Sequence, residues 1–69
     1  MSMKRIRFVK DIEVVYWDSR YDDEQTRHYR RGTMVFAEVE PLDKDFVNLK
    51  FQDGNEAVDV PISAFEVVV

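Results

Sequence analysis

The segment FVNLKFQDGNEAVDV, residues 46–60, constrains the fold of this chain more than any other stretch. Val47, Leu49 and Phe51 alternate with Asn48 and Lys50, the two-residue period of a strand with one buried face. Asp53-Gly54 then supplies the backbone freedom of a tight hairpin turn. After the turn the period resumes and predicts Val58 and Val60 facing inward. Pro61 has no amide hydrogen to give to a ladder, so the strand ends there. The following PISAF predicts a single 3₁₀ turn, and EVVV a short closing strand.

The N-terminal half carries the same period. In KRIRFVK, Ile6 and Phe8 fall on one side and Arg5 and Arg7 on the other. In DIEVVYWD, Ile12, Val14 and Tyr16 share a face opposite Glu13, Val15 and Trp17. Lys10-Asp11 marks a turn or a bulge between these halves. TMVFAEVE sets Val35, Ala37 and Val39 against Met34, Phe36 and Glu38, and PLDKD is a turn. Residues 18–32, DSRYDDEQTRHYRRG, are polar and predict a long hairpin loop of irregular or short-strand character. A helix over residues 21–30 is the competing reading: Asp22, Asp23 and Glu24 suit its start, and Arg27, Arg30, Arg31 and Gly32 its end. That helix would have no apolar stripe to dock. The sum is an all-β fold of five strands with almost no helix. Closing five short strands into a small barrel would hide the edges that an open sheet exposes.

Size and composition narrow the function classes. Sixty-nine residues make one domain, spanning residues 1–69. A chain this short buries only about 60% of its unfolded surface, so the core is thin and leaves no room for a deep catalytic cleft. Cysteine is absent, which removes disulfides, thiolate metal sites and thiol nucleophiles and fits a reducing compartment. No apolar run approaches the ~20 residues needed to span a bilayer, and MSMKRIRFVKD lacks the apolar centre of a secretion signal. A cytoplasmic location is therefore expected. The net charge of −4 opposes nucleic-acid binding unless a local basic face overcomes it.

Three segments resemble one family. VVYWD is similar to the first-strand aromatic signature of SH3-like (Src-homology-3-like) barrels, YRRGTMV to their charged segment entering the second strand, and VPISAFEVV to their last segment. The resemblance implies a five-stranded SH3-like small barrel with a long first loop and a 3₁₀ turn before the last strand. It also implies that Pro61 breaks the chain so that the last strand crosses to pair with the first. VNLKFQDGN resembles the Tudor branch of that barrel, although Asp53 runs straight into Gly54 where that branch places a cage aromatic. Tyr16, Pro61 and Phe65 fall where the polyproline groove has Tyr, Pro and Tyr, and Phe46 lies near the place of its ligand-stacking Trp.

Catalytic groups are sparse. His28 is the single histidine, and no hydroxyl stands in a nucleophile context. Asp22, Asp23 and Glu24 lack calcium-loop spacing. Neither enzyme activity, nor a metal, nor a cofactor is expected. The aromatics outnumber the places in so small a core, and RHYRRG is the densest local charge. Together they predict a non-enzymatic interaction or regulatory module that binds a protein through Tyr16, Trp17, Tyr29, Arg30, Arg31 and Phe46. The plainer reading of the arginines is pairing with Asp18, Asp22, Asp23 and Glu24. A nucleic-acid-associated barrel is the alternative, using Lys4, Arg5 and Arg7 with Arg27, Arg30 and Arg31. A reader of methylated Arg or Lys is the second alternative. The expected assembly is a monomer or weak homodimer, and compactness suits a free-standing phage or bacterial accessory protein.

Overall fold

The computed structural model describes residues 2–69. Its strands are β1 (Lys4–Phe8), β2 (Ile12–Asp18), β3 (Asp23–Tyr29), β4 (Met34–Pro41), β5 (Phe46–Lys50), β6 (Glu56–Pro61) and β7 (Phe65–Val68), with a 3₁₀ turn, η1 (Ile62–Ala64), before the last. The seven strands form one antiparallel sheet in the order β3-β2-β6-β5-β4-β1-β7. β3 and β7 are its two ends and do not pair with each other. The expected closed five-stranded SH3-like barrel is therefore not what this chain forms, and the resemblance to the SH3-like and Tudor-type families fails with it.

Two local events account for the difference. The chain bends at Val9 and Lys10, so the first apolar run becomes two strands with different partners. β1 lies between β4 and β7, while β2 lies between β3 and β6. The polar stretch expected as a loop becomes β3, paired to β2 along its whole length from Ile12↔Tyr29 to Asp18↔Asp23. Of the β3 residues only Tyr29 is buried. Backbone pairing with β2, not an apolar stripe, recruits this segment, and for the same reason no helix forms there. The charged outer margin of β3 then ends the ladder, as charged edges do.

Elsewhere the two-residue period holds. Ile6, Phe8, Val14, Ala37, Val47, Leu49, Ala57 and Val60 form the buried centre, with Val35, Val39, Phe51 and Phe65 packed around it. On β6 the buried pair is Ala57 and Val60 rather than Val58 and Val60. Asp59 adopts φ 55, which inserts an extra residue into the alternation and rotates Val58 toward β2's outer face, opposite Val15. The β5–β6 register shifts at the same level, between Val47 and Leu49. Pro61 ends β6, η1 turns the chain, and β7 pairs with β1 from Phe8↔Phe65 to Arg5↔Val68. The crossing of the last strand to the first thus occurs, but within an open sheet.

Gly54 closes the β5–β6 turn at φ +89, a conformation that L side chains rarely adopt. A Cβ there would also lie 3.3 Å from the Ser19 hydroxyl of the β2–β3 turn. Asn55, which is buried, joins these two turns. Its side-chain oxygen accepts from the Ser19 amide (2.9 Å) and hydroxyl (3.0 Å), and its amide nitrogen donates to the Tyr16 hydroxyl (3.1 Å).

Candidate functional site

One of two concave surfaces lies where the β4–β5 turn meets the end of β6. Asp43 caps that turn by accepting from the backbone amides of Asp45 (2.8 Å) and Phe46 (3.0 Å). The Phe46 carbonyl in turn accepts from Leu42 (3.1 Å) and Asp43 (3.2 Å). Pro61 pairs in register with Phe46, and the Ile62 amide donates to the Asp45 carbonyl (2.9 Å). Because η1 turns only Ala64 fully inward, Ile62 stays on the surface. The result is a groove of about 530 Å³ lined by Lys44, Asp45, Phe46, Pro61, Ile62 and Ser63. Phe46 is 39% exposed, Ile62 42% and the adjoining Leu42 47%.

A cluster of cations adjoins this groove through η1. The Val9 amide donates to the Ala64 carbonyl (2.9 Å), which sets the β1–β2 bend against η1. The β3–β4 turn is fastened to the same bend: Gly32 donates to the Phe8 carbonyl (2.7 Å) and the Arg31 amide to the Asp11 carboxylate (2.7 Å). Lys10, Arg30 and Arg31 therefore sit on adjoining loops. Among the described residues the ion pairs are Arg7–Glu66, Arg20–Asp18, His28–Glu13 and Lys50–Glu40, and none engages these three cations. The pairing of Arg27, Arg30 and Arg31 with Asp18, Asp22, Asp23 and Glu24 does not form. The intervening β3 is seven residues long, so its ends are on the order of 20 Å apart.

The side chains singled out from sequence do not converge on one patch. Tyr16 and Tyr29 are buried. Tyr29 stacks on Phe8 with ring centroids 4.6 Å apart, and Tyr16 packs on Phe51 at 5.7 Å. The Arg27 guanidinium lies 3.8 Å from the Tyr16 ring centroid, so the chain's own cation covers that aromatic face. Burial pushes the Tyr29 hydroxyl above its ordinary value near 10, and the positive charge of Arg27 partly offsets this. Trp17 is half-buried on the opposite face, its indole N–H donating to Asp22 (3.3 Å). Phe46 lies in the groove, and Arg30 and Arg31 in the neighbouring loop.

The basic residues of the nucleic-acid alternative are dispersed. Arg5 stands over Phe36 (5.6 Å), Arg7 is paired with Glu66, and Lys4 is exposed at the start of β1. Leu42, Ile62 and Lys44 were not evident from sequence as site residues. The signal for Ile62 was its place directly after Pro61 in a one-turn element that has room for one inward side chain. A second, more charged depression of about 460 Å³ includes Glu38, Lys50 and Glu56. There the hydrogen bond and charge of Glu40 hold the Lys50 ammonium above its usual value. Among the described residues no group of three or more His, Asp or Glu side chains is placed to hold a metal ion.

The architecture and this surface define a small all-β domain built on a single open antiparallel sheet, with an apolar groove at one corner. Comparison with protein-family models, with curated proteins and with solved structures finds no significant match.

Proposed function

We propose that this chain is a non-enzymatic protein-binding module whose partner seats in the groove between Phe46 and Ile62, with Lys10, Arg30 and Arg31 orienting it. The observation that carries the reading is the groove itself. Its apolar side chains are held open to solvent by backbone hydrogen bonds on both walls. Burying what remains exposed of Leu42, Phe46 and Ile62 supplies on the order of 3 kcal/mol, about a hundredfold in affinity. The walls are ordered before binding, so little of this is lost to loop ordering. The adjoining cations are free to meet carboxylates and to set direction and association rate.

Affinity capture from the source lysate tests this, with Ile62→Asp compared against the wild type and a Phe36→Ser control on the outer face. A protein retained by the wild type and by Phe36→Ser, but lost with Ile62→Asp, supports the groove. Equal capture by all three, or none by the wild type, rejects it.

The unpaired Lys10, Arg30 and Arg31 favour one second reading, nucleic-acid contact at the same corner. Three phosphate contacts would give a salt slope of about −3 in log K against log salt. Fluorescence polarisation with duplex and single-stranded oligonucleotides at low salt decides it: absence of binding there removes this alternative.

A further inference from the structure

The two ends of the sheet differ in kind. β3 presents Glu24, Arg27 and His28 at its margin, charges that discourage pairing with another strand. β7 carries one charge, Glu66, and Arg7 of the neighbouring strand already pairs with it.

The register shows what β7 leaves unfinished. Ile6 is fully buried, and it lies in one row between Val35 of β4 and Val67 of β7. Val67 thus continues a row of the core, yet it is 44% exposed because no strand lies beyond β7. The backbone is unfinished at the same residues. Phe8 directs both its amide and its carbonyl toward β4, to the Thr33 carbonyl (2.9 Å) and the Gly32 amide (2.7 Å). Alternation along β1 then turns Arg7 and Arg5 toward β7, where their partners are Glu66 and Val68. Val67 consequently points its N–H and C=O groups away from the sheet, whereas the Phe65 N–H is already taken by the Ile62 carbonyl at the end of η1.

We propose that β7 is a self-association edge: two copies of this chain pair β7 to β7, antiparallel, about a twofold axis at Val67. In that register Val67 exchanges both hydrogen bonds with Val67 of the second copy, and the buried row runs Ile6–Val67–Val67–Ile6 across the axis. Glu66 lies opposite Val68 of the other copy, so no like charges face each other and each Glu66 keeps its own Arg7. The charged end strand β3 is a poor occupant. Its residues on the core side include Gln25 and Arg27, opposite Tyr16 and Val14, and they would set polar groups against Val67. The pairing therefore closes as a dimer rather than growing as a fibre. A four-residue edge buries much less than the ~1,200 Å² of a standard interface, so a weak, readily dissociating dimer is expected.

Sedimentation equilibrium of the 69-residue chain, from about 10 µM to 1 mM, tests this. The expected result is a mass that rises with concentration and levels at twice the monomer. Val67→Pro, which removes an outward N–H while leaving the β1 ladder intact, and Val67→Lys should stay monomeric with unchanged circular dichroism. Thr26→Lys, on β3, should associate like the wild type. A wild type that is monomeric throughout overturns the proposal, as does an undiminished dimer in Val67→Lys, or a mass that climbs past the dimer. Should both Val67 variants unfold, isotope-filtered NMR of a labelled and unlabelled wild-type mixture decides instead. An intermolecular contact between the Glu66 and Val68 α-protons supports the register, and its absence in the associated state overturns it.

Discussion

Phe8 and Tyr29 stack almost in parallel, with centroids 4.6 Å apart and planes 7° from each other. They belong to β1 and β3, which are separated by four strands in the sheet order. The backbone bonds of Phe8 to Gly32 and Thr33, just beyond β3, hold these two regions together, and the stacked rings fill the space between them. Tyr29 is also the one buried residue of β3, so beyond its backbone ladder with β2 the third strand reaches the core through a single ring. Tyr29→Ala should cost about 3–5 kcal/mol, a large share of the ~5–15 kcal/mol typical of whole domains. Urea unfolding measures the loss. Hydrogen exchange should show β3 amides losing protection first, while β4, β5 and β6 remain protected.

The same ring makes stability sensitive to high pH. Burial raises the Tyr29 hydroxyl above its ordinary value near 10, against the smaller opposing effect of Arg27. Below pH 10 the hydroxyl is protonated in both folded and unfolded chains, and the full stability is present. Above pH 10 the unfolded chain releases this proton more readily than the folded one, so stability falls as pH rises toward the folded value. The urea midpoint of the wild type should drop more between pH 9 and pH 11 than that of Tyr29→Phe. Equal drops in the two proteins would remove Tyr29 as the source.

Much of the β4–β7 half was legible, because there the period, the Asp53-Gly54 turn and Pro61 all point to the same structure. Leu49, Ala37 and Val60 are buried where alternation puts them. Val58 was misassigned because nothing in the sequence marks Asp59 as left-handed, and one such residue puts the faces before it out of step with those after it. β3 was illegible for another reason: backbone pairing to β2 holds it, and backbone bonds leave no signature in side-chain type. Closure was misjudged because it depends on whether two distant edges meet. At the candidate site, Phe46 was found as an aromatic in excess of what so small a core can hold, and it lies in the groove. Tyr16 and Tyr29 were drawn into the core by Phe51 and Phe8, contacts between strands that no spacing within one strand reveals.

Asn55 offers a test of how the two turns are joined. Its side chain serves the Ser19 amide and the Tyr16 hydroxyl together. Asn55→Ala leaves both partners unsatisfied in a part-buried place, at about 1–3 kcal/mol. Thermal unfolding should register the loss. The amide signals of residues 18–22 should broaden or shift more than those of the distant β4–β5 turn.

Gly32 and Gly54 share φ +89 but differ in surroundings, which separates backbone strain from steric contact. Alanine at either position incurs the left-handed penalty of about 1–2 kcal/mol. At Gly32 a Cβ would meet nothing within 4 Å, whereas at Gly54 it would press on the Ser19 hydroxyl at 3.3 Å. That hydroxyl is held in place by Asn55, so it yields only by loosening the bond between the two turns. Gly54→Ala should therefore destabilise more than Gly32→Ala, by a margin on the order of 1 kcal/mol. In an Asn55→Ala background the hydroxyl is free to rotate away, and the margin should shrink. Chemical unfolding of the four variants measures both differences. Equal costs for the two glycines would mean that the backbone angle alone requires glycine at position 54.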